Sequence, residues 1–265
     1  MQWPLISIIT VTYNAEDVIC NTVESVLKQT YPNIEYIIVD GMSSDRTSEF
    51  IEEYKKRGYI STYIQEKDEG IYDAMNKGIS LAKGEAILLL NAGDILYNNA
   101  IKRLVEKSTG DIKNRIICCD WLLVFPPKKF SYRRNAMFDF SKKMGVSHQG
   151  SLIGKEIYCK IGLYNIKYKY VADYDFFIRV FLSNSFVFEH VNEVLLEYMY
   201  EGTTTKSALI QYNENFELRK SYGFKNNNKL IFKCTNAFRV LSRKYLGYDV
   251  NLYGYMLLKI FKNVK

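Results

Sequence analysis

No G-x-G-x-x-G follows the first apolar run, and no G-x-x-x-x-G-K-[S/T] occurs in the 265 residues. The first absence argues against a dinucleotide-dependent dehydrogenase and the second against a P-loop kinase, since both cradle phosphate on a glycine-rich loop. A nucleotide bound here must have its diphosphate neutralised by a metal or by basic side chains. Cys20, Cys118, Cys119, Cys159 and Cys234 form no C-x-x-C pair, and the adjacent Cys118 and Cys119 are poorly spaced to bridge each other. An odd count without a spacing pattern predicts reduced, buried thiols in a cytosolic protein. No apolar run reaches 18 residues, so no membrane-spanning helix is expected. The first apolar run begins almost at Met1 without a basic segment or cleavage site, so no secretory leader is expected.

What the chain does have is charge in one place. Its net charge is +7, but residues 206–265 carry +9 and the preceding 205 residues carry −2. The basicity therefore belongs to the tail. Tyrosine is abundant, at 22 residues. It packs as a hydrophobe and keeps a polar tip, which suits half-buried surfaces and sugar stacking.

The pattern along the chain alternates. Leu5 to Tyr13 is β-branched and apolar on both faces, as in a buried parallel strand. Val18 to Gln29 has helical spacing and stops before Pro32. Ile34 to Asp40 is a second strand, followed by a turn and a helix from about Arg46 to Lys56. A short strand near 61–65, a helix over 71–82, a strand over 85–90 and a helix over 98–106 complete the first half. Strands alternating with helices through short loops predict a mostly parallel α/β sheet covered on both faces. Ligands in such sheets bind at the carboxyl ends of the strands. Thr12–Asn14, Asp40–Asp45 and Asn91–Asp94 all fall at such ends. The second half is less regular, with strands over 116–125 and after Ser147-His148-Gln149, and a helix over 173–183. The tail from Ser207 reads as helical, aromatic and basic. Two units are expected: residues 1–205, divisible at 110 into nucleotide and acceptor halves, and an appendage at 206–265.

Several residues stand out for chemistry, each with a plainer alternative. Asp94 follows a buried strand, where a carboxylate is costly unless paired. It either takes an oxygen-seeking Mg²⁺ or Mn²⁺ or caps the next helix. Asp40 either accepts from a base or ribose or orders its loop. Asp45 is the better helix cap. Asp173 and Asp175 open a helix, as general base or as capping acids. His148 is one of two histidines, and is either a metal or diphosphate ligand or a buried, hydrogen-bonded imidazole. His190 reads as structural, on an edge strand. Lys128, Lys129, Arg133 and Arg134 form a basic stretch, read as solvated charge or as a cover for an anionic group. Lys229 to Tyr245 is a basic amphipathic pattern suited to an anionic membrane surface, or to packing with a solvated face. Nothing resembles a nucleic-acid module.

Taken as a set, Pro4 to Asn14, Ser25 to Asn33, Ile37 to Thr47, Asn76-Lys77-Gly78, Ala82 to Glu85 and Leu89 to Asp94 resemble glycosyltransferase family 2, in the family's order. Asp68 to Gly78, reading DEGIYDAMNKG, is similar to the colanic-acid-type transferases of bacterial polysaccharide synthesis. The resemblance implies a GT-A fold, a nucleotide-sugar donor (UDP by default), Mn²⁺ or Mg²⁺, and inversion at the anomeric carbon. The implied acceptor is a hydroxyl of a glycan or lipid-linked glycan. Thr12, Asn14, Asp40, Asp68, Lys77 and Asn91 fall at nucleotide-binding positions, and Asp94 at the last acid of the family's D-x-D. Asn91 stands where the first acid is expected, which leaves one carboxylate for the metal. His148 lies in a His-Gln element similar to one in this subgroup. Asp173 matches the base, with Asp175 as the alternative and Ala172 in place of a common Glu. A cytoplasmic enzyme, peripheral on the inner membrane face through residues 206–265, fits this resemblance. The alternatives are a sugar-nucleotide nucleotidyltransferase, which lacks its basic glycine loop here, and a nucleotide-sugar-binding homologue with weak or no turnover.

Overall fold

In the computed structural model, residues 3–125, 130–199 and 208–224 are described. The chain divides into two compact units, Met1–Lys206 and Ser207–Lys265. Of the second unit, one helix, Ala208–Ser221, is described to its end, and Lys229 to Tyr245 lies outside the described residues.

The first unit alternates as its sequence pattern predicts. Strands β1 (Ile6–Thr12), β2 (Ile34–Asp40), β3 (Thr62–Gln65) and β4 (Ala86–Asn91) alternate with helices α1 (Ile19–Leu27), α2 (Thr47–Lys56) and α3 (Ile71–Leu81). Pairing is parallel throughout this half: β1 with β2 and β4, and β2 with β3. β1 is buried at all seven positions, which explains why it reads as a continuous apolar run and not as an alternation.

The second half adds β5 (Ile95–Leu96), α4 (Ala100–Lys107), β6 (Arg115–Phe125), β7 (Phe130–Arg134), β8 (Ser151–Gly154), α5 (Lys155–Ile161), α6 (Ala172–Ser183) and β9 (Val187–Met199). Strand order is β3-β2-β1-β4-β8-β6-β9-β5, with β7 on β6. Here the parallel rule lapses: β8 runs antiparallel between β4 and β6, and β5 antiparallel to β9. Among the described strands of this half, only β6 and β9 pair in parallel, and α5 and α6 lie between β8 and β9 in the chain, a connection long enough for a crossover. His190 sits in β9, where Cys118 of β6 pairs with it.

Small polar groups fix the loops that matter. Thr22, on the buried face of α1, donates from Oγ1 to the Asp94 carbonyl (3.0 Å) and accepts the Gly93 N–H (2.9 Å). The turn after β4 is thereby pinned to α1. At the opposite end of the sheet, Ser7 Oγ donates to buried Glu35 (2.6 Å) and accepts the Gly84 N–H (2.9 Å). A Cβ at Gly84 would lie 2.6 Å from the Ser7 amide nitrogen, so only glycine fits that approach.

Candidate active site at the carboxyl edge of the sheet

Strand register assembles the first row. Thr12 is opposite Asp40, Asp40 is opposite Gln65, and Asn91 is opposite Val11, one residue short of Thr12. Four chain segments thus deliver polar side chains to one edge. Gly41 lets Asp68 join them, because a Cβ there would collide with Asp68 Oδ2. Asp68 Oδ1 accepts the Gly70 N–H at 2.9 Å, which fixes the turn entering α3.

These side chains are not all free to meet a ligand. Asp40 is fully buried. Its Oδ1 accepts the amide and hydroxyl of Ser43 (3.1 and 2.5 Å), and its Oδ2 accepts Tyr63 Oη (3.3 Å) and Gln65 Nε2 (3.1 Å). In this arrangement Asp40 organises Ser43, Tyr63 and Gln65, which sequence reasoning did not single out. Asn14 adopts φ 46°, a left-handed conformation that asparagine tolerates. Its Oδ1 accepts the Ser44 N–H at 2.8 Å, and its own N–H reaches Ser43 Oγ at 2.9 Å, joining the loops after β1 and β2. Lys77 Nζ is held by the Lys67 carbonyl (2.7 Å), Glu66 (3.0 Å) and Asp73 (3.3 Å), and so braces the turn around Asp68. The N-cap of α2 is Arg46, not Asp45; Asp45, one residue earlier, accepts the Thr47 and Glu16 amides (3.0 and 3.1 Å) and ties the helix entry to the loop after β1.

Asp94 is 4% exposed and accepts the Met199 N–H from β9 at 3.0 Å. Burial pushes its carboxyl up to about 7, against the opposing hydrogen bonds from Met199 and Gln149. A group held at that cost is primed for a counter-charge. Among the described residues, no cluster of three or more His, Cys, Asp or Glu side chains is placed to hold a metal. Buried polar atoms without a hydrogen-bond partner nevertheless include Thr12 Oγ1, Asn91 Oδ1 and His148 Nε2. A carboxylate, an amide oxygen and an imidazole nitrogen have the chemistry of divalent-ion donors, short of a full shell.

The second half contributes Asp173. It lies in the first turn of α6 and keeps 19% of its side chain exposed. Oδ1 accepts the hydroxyl of Tyr72 from α3 (2.9 Å) and the Tyr174 N–H (2.8 Å); Oδ2 lies 3.2 Å from His148 Nδ1. Asp175 is different. It is 4% exposed and receives Arg179 Nε at 2.9 Å, while Arg179 also donates to the Ile161 and Leu163 carbonyls. Arg133 lies in β7 and not in a loop: its side chain is 44% exposed and donates to fully buried Asp120 (Nε, 2.9 Å) and to Asn192. Lys128 and Lys129 lie outside the described residues.

Comparison with known proteins supplies the identity. The profile of Glycosyl transferase family 2 matches residues 7–180. A PGL/p-HBAD biosynthesis glycosyltransferase of Mycobacterium bovis is 30% identical over 203 residues, covering 75% of this chain and 78% of that protein. S. aureus TarS 1-349 in complex with UDP-GlcNAc superposes with a TM-score of 0.65 at 17% identity, covering 93% of this chain and 74% of that one. Of a longer TarS chain, this protein spans 44% at a TM-score of 0.66, again at 17% identity over 93% of this chain. The mannosyltransferase PcManGT of Pyrobaculum calidifontis, in complex with GDP-Man and Mn²⁺, gives 0.60 at 16% identity, covering 86% and 66%. At these identities the structures establish a shared GT-A-like fold, and the profile match, spanning well over half the chain, establishes the family. The chain belongs to glycosyltransferase family 2 and is a glycosyltransferase.

Proposed function

We propose that this enzyme is an inverting transferase that moves a sugar from a nucleotide-diphosphate donor, UDP-sugar first, to a hydroxyl of a glycan or lipid-linked glycan in bacterial surface polysaccharide synthesis. The observation that carries it is that Thr12, Asn91 and Asp94 lie at the carboxyl ends of β1 and β4, while β8, antiparallel to β4, begins at that same end just after the turn of His148; Thr12, Asn91 and His148 each hold a buried polar atom without a hydrogen-bond partner. TarS with UDP-GlcNAc and PcManGT with GDP-Man and Mn²⁺ share the fold and support a donor of this class.

Asp94, Asn91 Oδ1 and His148 Nε2 are the atoms that would hold Mn²⁺ or Mg²⁺. His148 has the arrangement of a metal-ligating imidazole, with its other nitrogen facing the carboxylate of Asp173. Held there, the ion would supply charge stabilisation for the departing diphosphate. Thr12 and Asp68 face the nucleoside, while Asp40, Asn14 and Lys77 shape the loops around it. Asp173 takes the proton of the acceptor hydroxyl as that oxygen attacks the anomeric carbon, and the bond to the diphosphate breaks on the opposite side. Such a base contributes about 10²–10⁴-fold in rate. The pairing of buried Asp175 with Arg179 supports Asp173 over Asp175 as the base. The basic tail, residues 206–265, seats the enzyme on anionic lipid at the inner membrane face; no helix among the described residues is long and apolar enough to cross a membrane.

Thermal-shift measurement with UDP, GDP and dTDP, each with and without Mn²⁺, tests the donor site. UDP with Mn²⁺ is expected to give the largest rise in Tm, and Asp94→Ala to abolish it. If no nucleotide stabilises the protein and Asp94→Ala changes nothing, the reading fails.

A further inference from the structure

The hydroxyl of Tyr72 belongs to the amino-terminal half and Asp173 to the carboxyl-terminal half, 101 residues apart, yet they meet at 2.9 Å. We propose that Tyr72 is a positioning residue for the base, holding the Asp173 carboxylate in the orientation from which it takes the acceptor proton. This rests on the assignment of Asp173 above.

Three observations carry it. First, both oxygens of Asp173 are engaged: Oδ1 by Tyr72 and the Tyr174 amide, Oδ2 by His148 Nδ1. Rotation of the carboxylate breaks at least one of these contacts, so its angle is set by its neighbours. Second, Tyr72 is itself fixed. It is 7% exposed, and its ring packs against Tyr164 at 5.5 Å between centroids. Asn76, one helical turn further along α3, binds the backbone of Tyr164 with both side-chain atoms, donating to its carbonyl (2.9 Å) and accepting its N–H (3.0 Å). One face of α3 is thereby clamped to the loop that leads into α6. Third, burial and the charge of Asp173 raise the phenol well above its ordinary value, so Tyr72 remains protonated and able to donate at any working pH.

A mere packing role for Tyr72 is met by the ring alone, which Tyr72→Phe keeps. The positioning role needs the oxygen. Turnover is read as UDP released from UDP-GlcNAc with Mn²⁺ and water as acceptor, using the full chain. Tyr72→Phe is expected to lower kcat roughly 10- to 100-fold, the scale of one hydrogen bond to a charged group, with KM for UDP-GlcNAc within about two-fold of the wild type. Asp173→Asn is expected to lower kcat by about 10²–10⁴-fold. Adding Tyr72→Phe to it should cost less than about three-fold more, because the oxygen acts through a base that is gone. A second readout needs no turnover. The chain has two histidines, so ¹⁵N spectra of the imidazoles are simple to assign. Tyr72→Phe should shift the His148 ring nitrogens, which share Asp173 with Tyr72, and leave those of His190 in place. Unchanged kcat and an unchanged His148 signal in Tyr72→Phe, beside an impaired Asp173→Asn, overturn the positioning role alone. Full turnover in Asp173→Asn overturns the base assignment and the positioning role with it.

Discussion

Replacing Asp94 with asparagine should make the metal-free protein more stable, and the gain should grow with pH. Burial raises the Asp94 carboxyl from 3.8 to about 7. Between those values the folded state binds a proton that the unfolded state has released, so stability falls as pH rises through the window. Below 3.8 both states are protonated and the penalty vanishes; above 7 it is complete. Three units at about 1.36 kcal/mol each give about 4 kcal/mol at pH 8.5, and the same arithmetic leaves about 2 kcal/mol at pH 5. Asparagine does not ionise, and its side-chain oxygen can still accept the Met199 N–H. For a unit of this size, 1 kcal/mol corresponds to roughly 2–4 °C, so Asp94→Asn should melt on the order of 10 °C higher at pH 8.5 in EDTA and about half that at pH 5. The same variant should lose the extra stabilisation that Mn²⁺ and UDP give the wild type. Differential scanning calorimetry of both proteins across pH 5 to 8.5 is the measurement. A stability difference that is flat in pH, or an asparagine variant less stable at pH 8.5, would show that Asp94 carries no burial penalty and refute the reasoning.

Asp175→Ala should cost about 3 kcal/mol in urea unfolding, at the low end for breaking a buried pair because Arg179 keeps two carbonyl partners. Asp173→Asn should leave urea unfolding nearly unchanged while removing turnover, which separates the two acids by assay. Thr22→Val keeps the shape of the side chain but deprives the Gly93 amide and the Asp94 carbonyl of their partner; a loss of about 1–3 kcal/mol is expected, with a smaller Mn²⁺–UDP thermal shift than the wild type. Gly84→Ala forces Ser7 and the Leu5 carbonyl, 2.6 and 2.9 Å from the new methyl, to move, and should destabilise by about 3 kcal/mol in the same urea titration.

The first half was legible because parallel strands buried on both faces leave continuous apolar runs, and each ends at a polar residue. Ile34–Asp40 is the element as its sequence marks it, and Ile6–Thr12 and Ala86–Asn91 shift by about a residue at an end. The strand after Ser147-His148-Gln149 was legible but its place in the sheet was not: Ser151–Gly154 is four residues long, and nothing local says whether it pairs parallel or antiparallel. Within the site, residue identities were readable but commitments were not. Asp40 and Lys77 look like ligand contacts in the sequence, yet their charges are engaged by Gln65, Tyr63 and Glu66, partners that only folding brings near. Tyr72 lay inside a quoted motif without a role, because its partner is 101 residues away. Thr22 shows a weak signal: a hydroxyl on the apolar face of a helix.

The bond from the Met199 amide to Asp94 spans 105 residues. At about 5–20 residues per second, the ribosome makes Asp94 some 5–20 s before its backbone partner exists. Over that interval β1, β2, β3 and β4 have all their mutual pairings available, while the carboxylate at their edge lacks the donor that β9 later brings. The growing chain therefore reaches a half-built sheet whose polar edge still faces water. Gln149 reaches the carboxylate from the segment before β8 and β9 supplies the Met199 donor last, so the cost of burying the acid falls after the early pairing of the sheet.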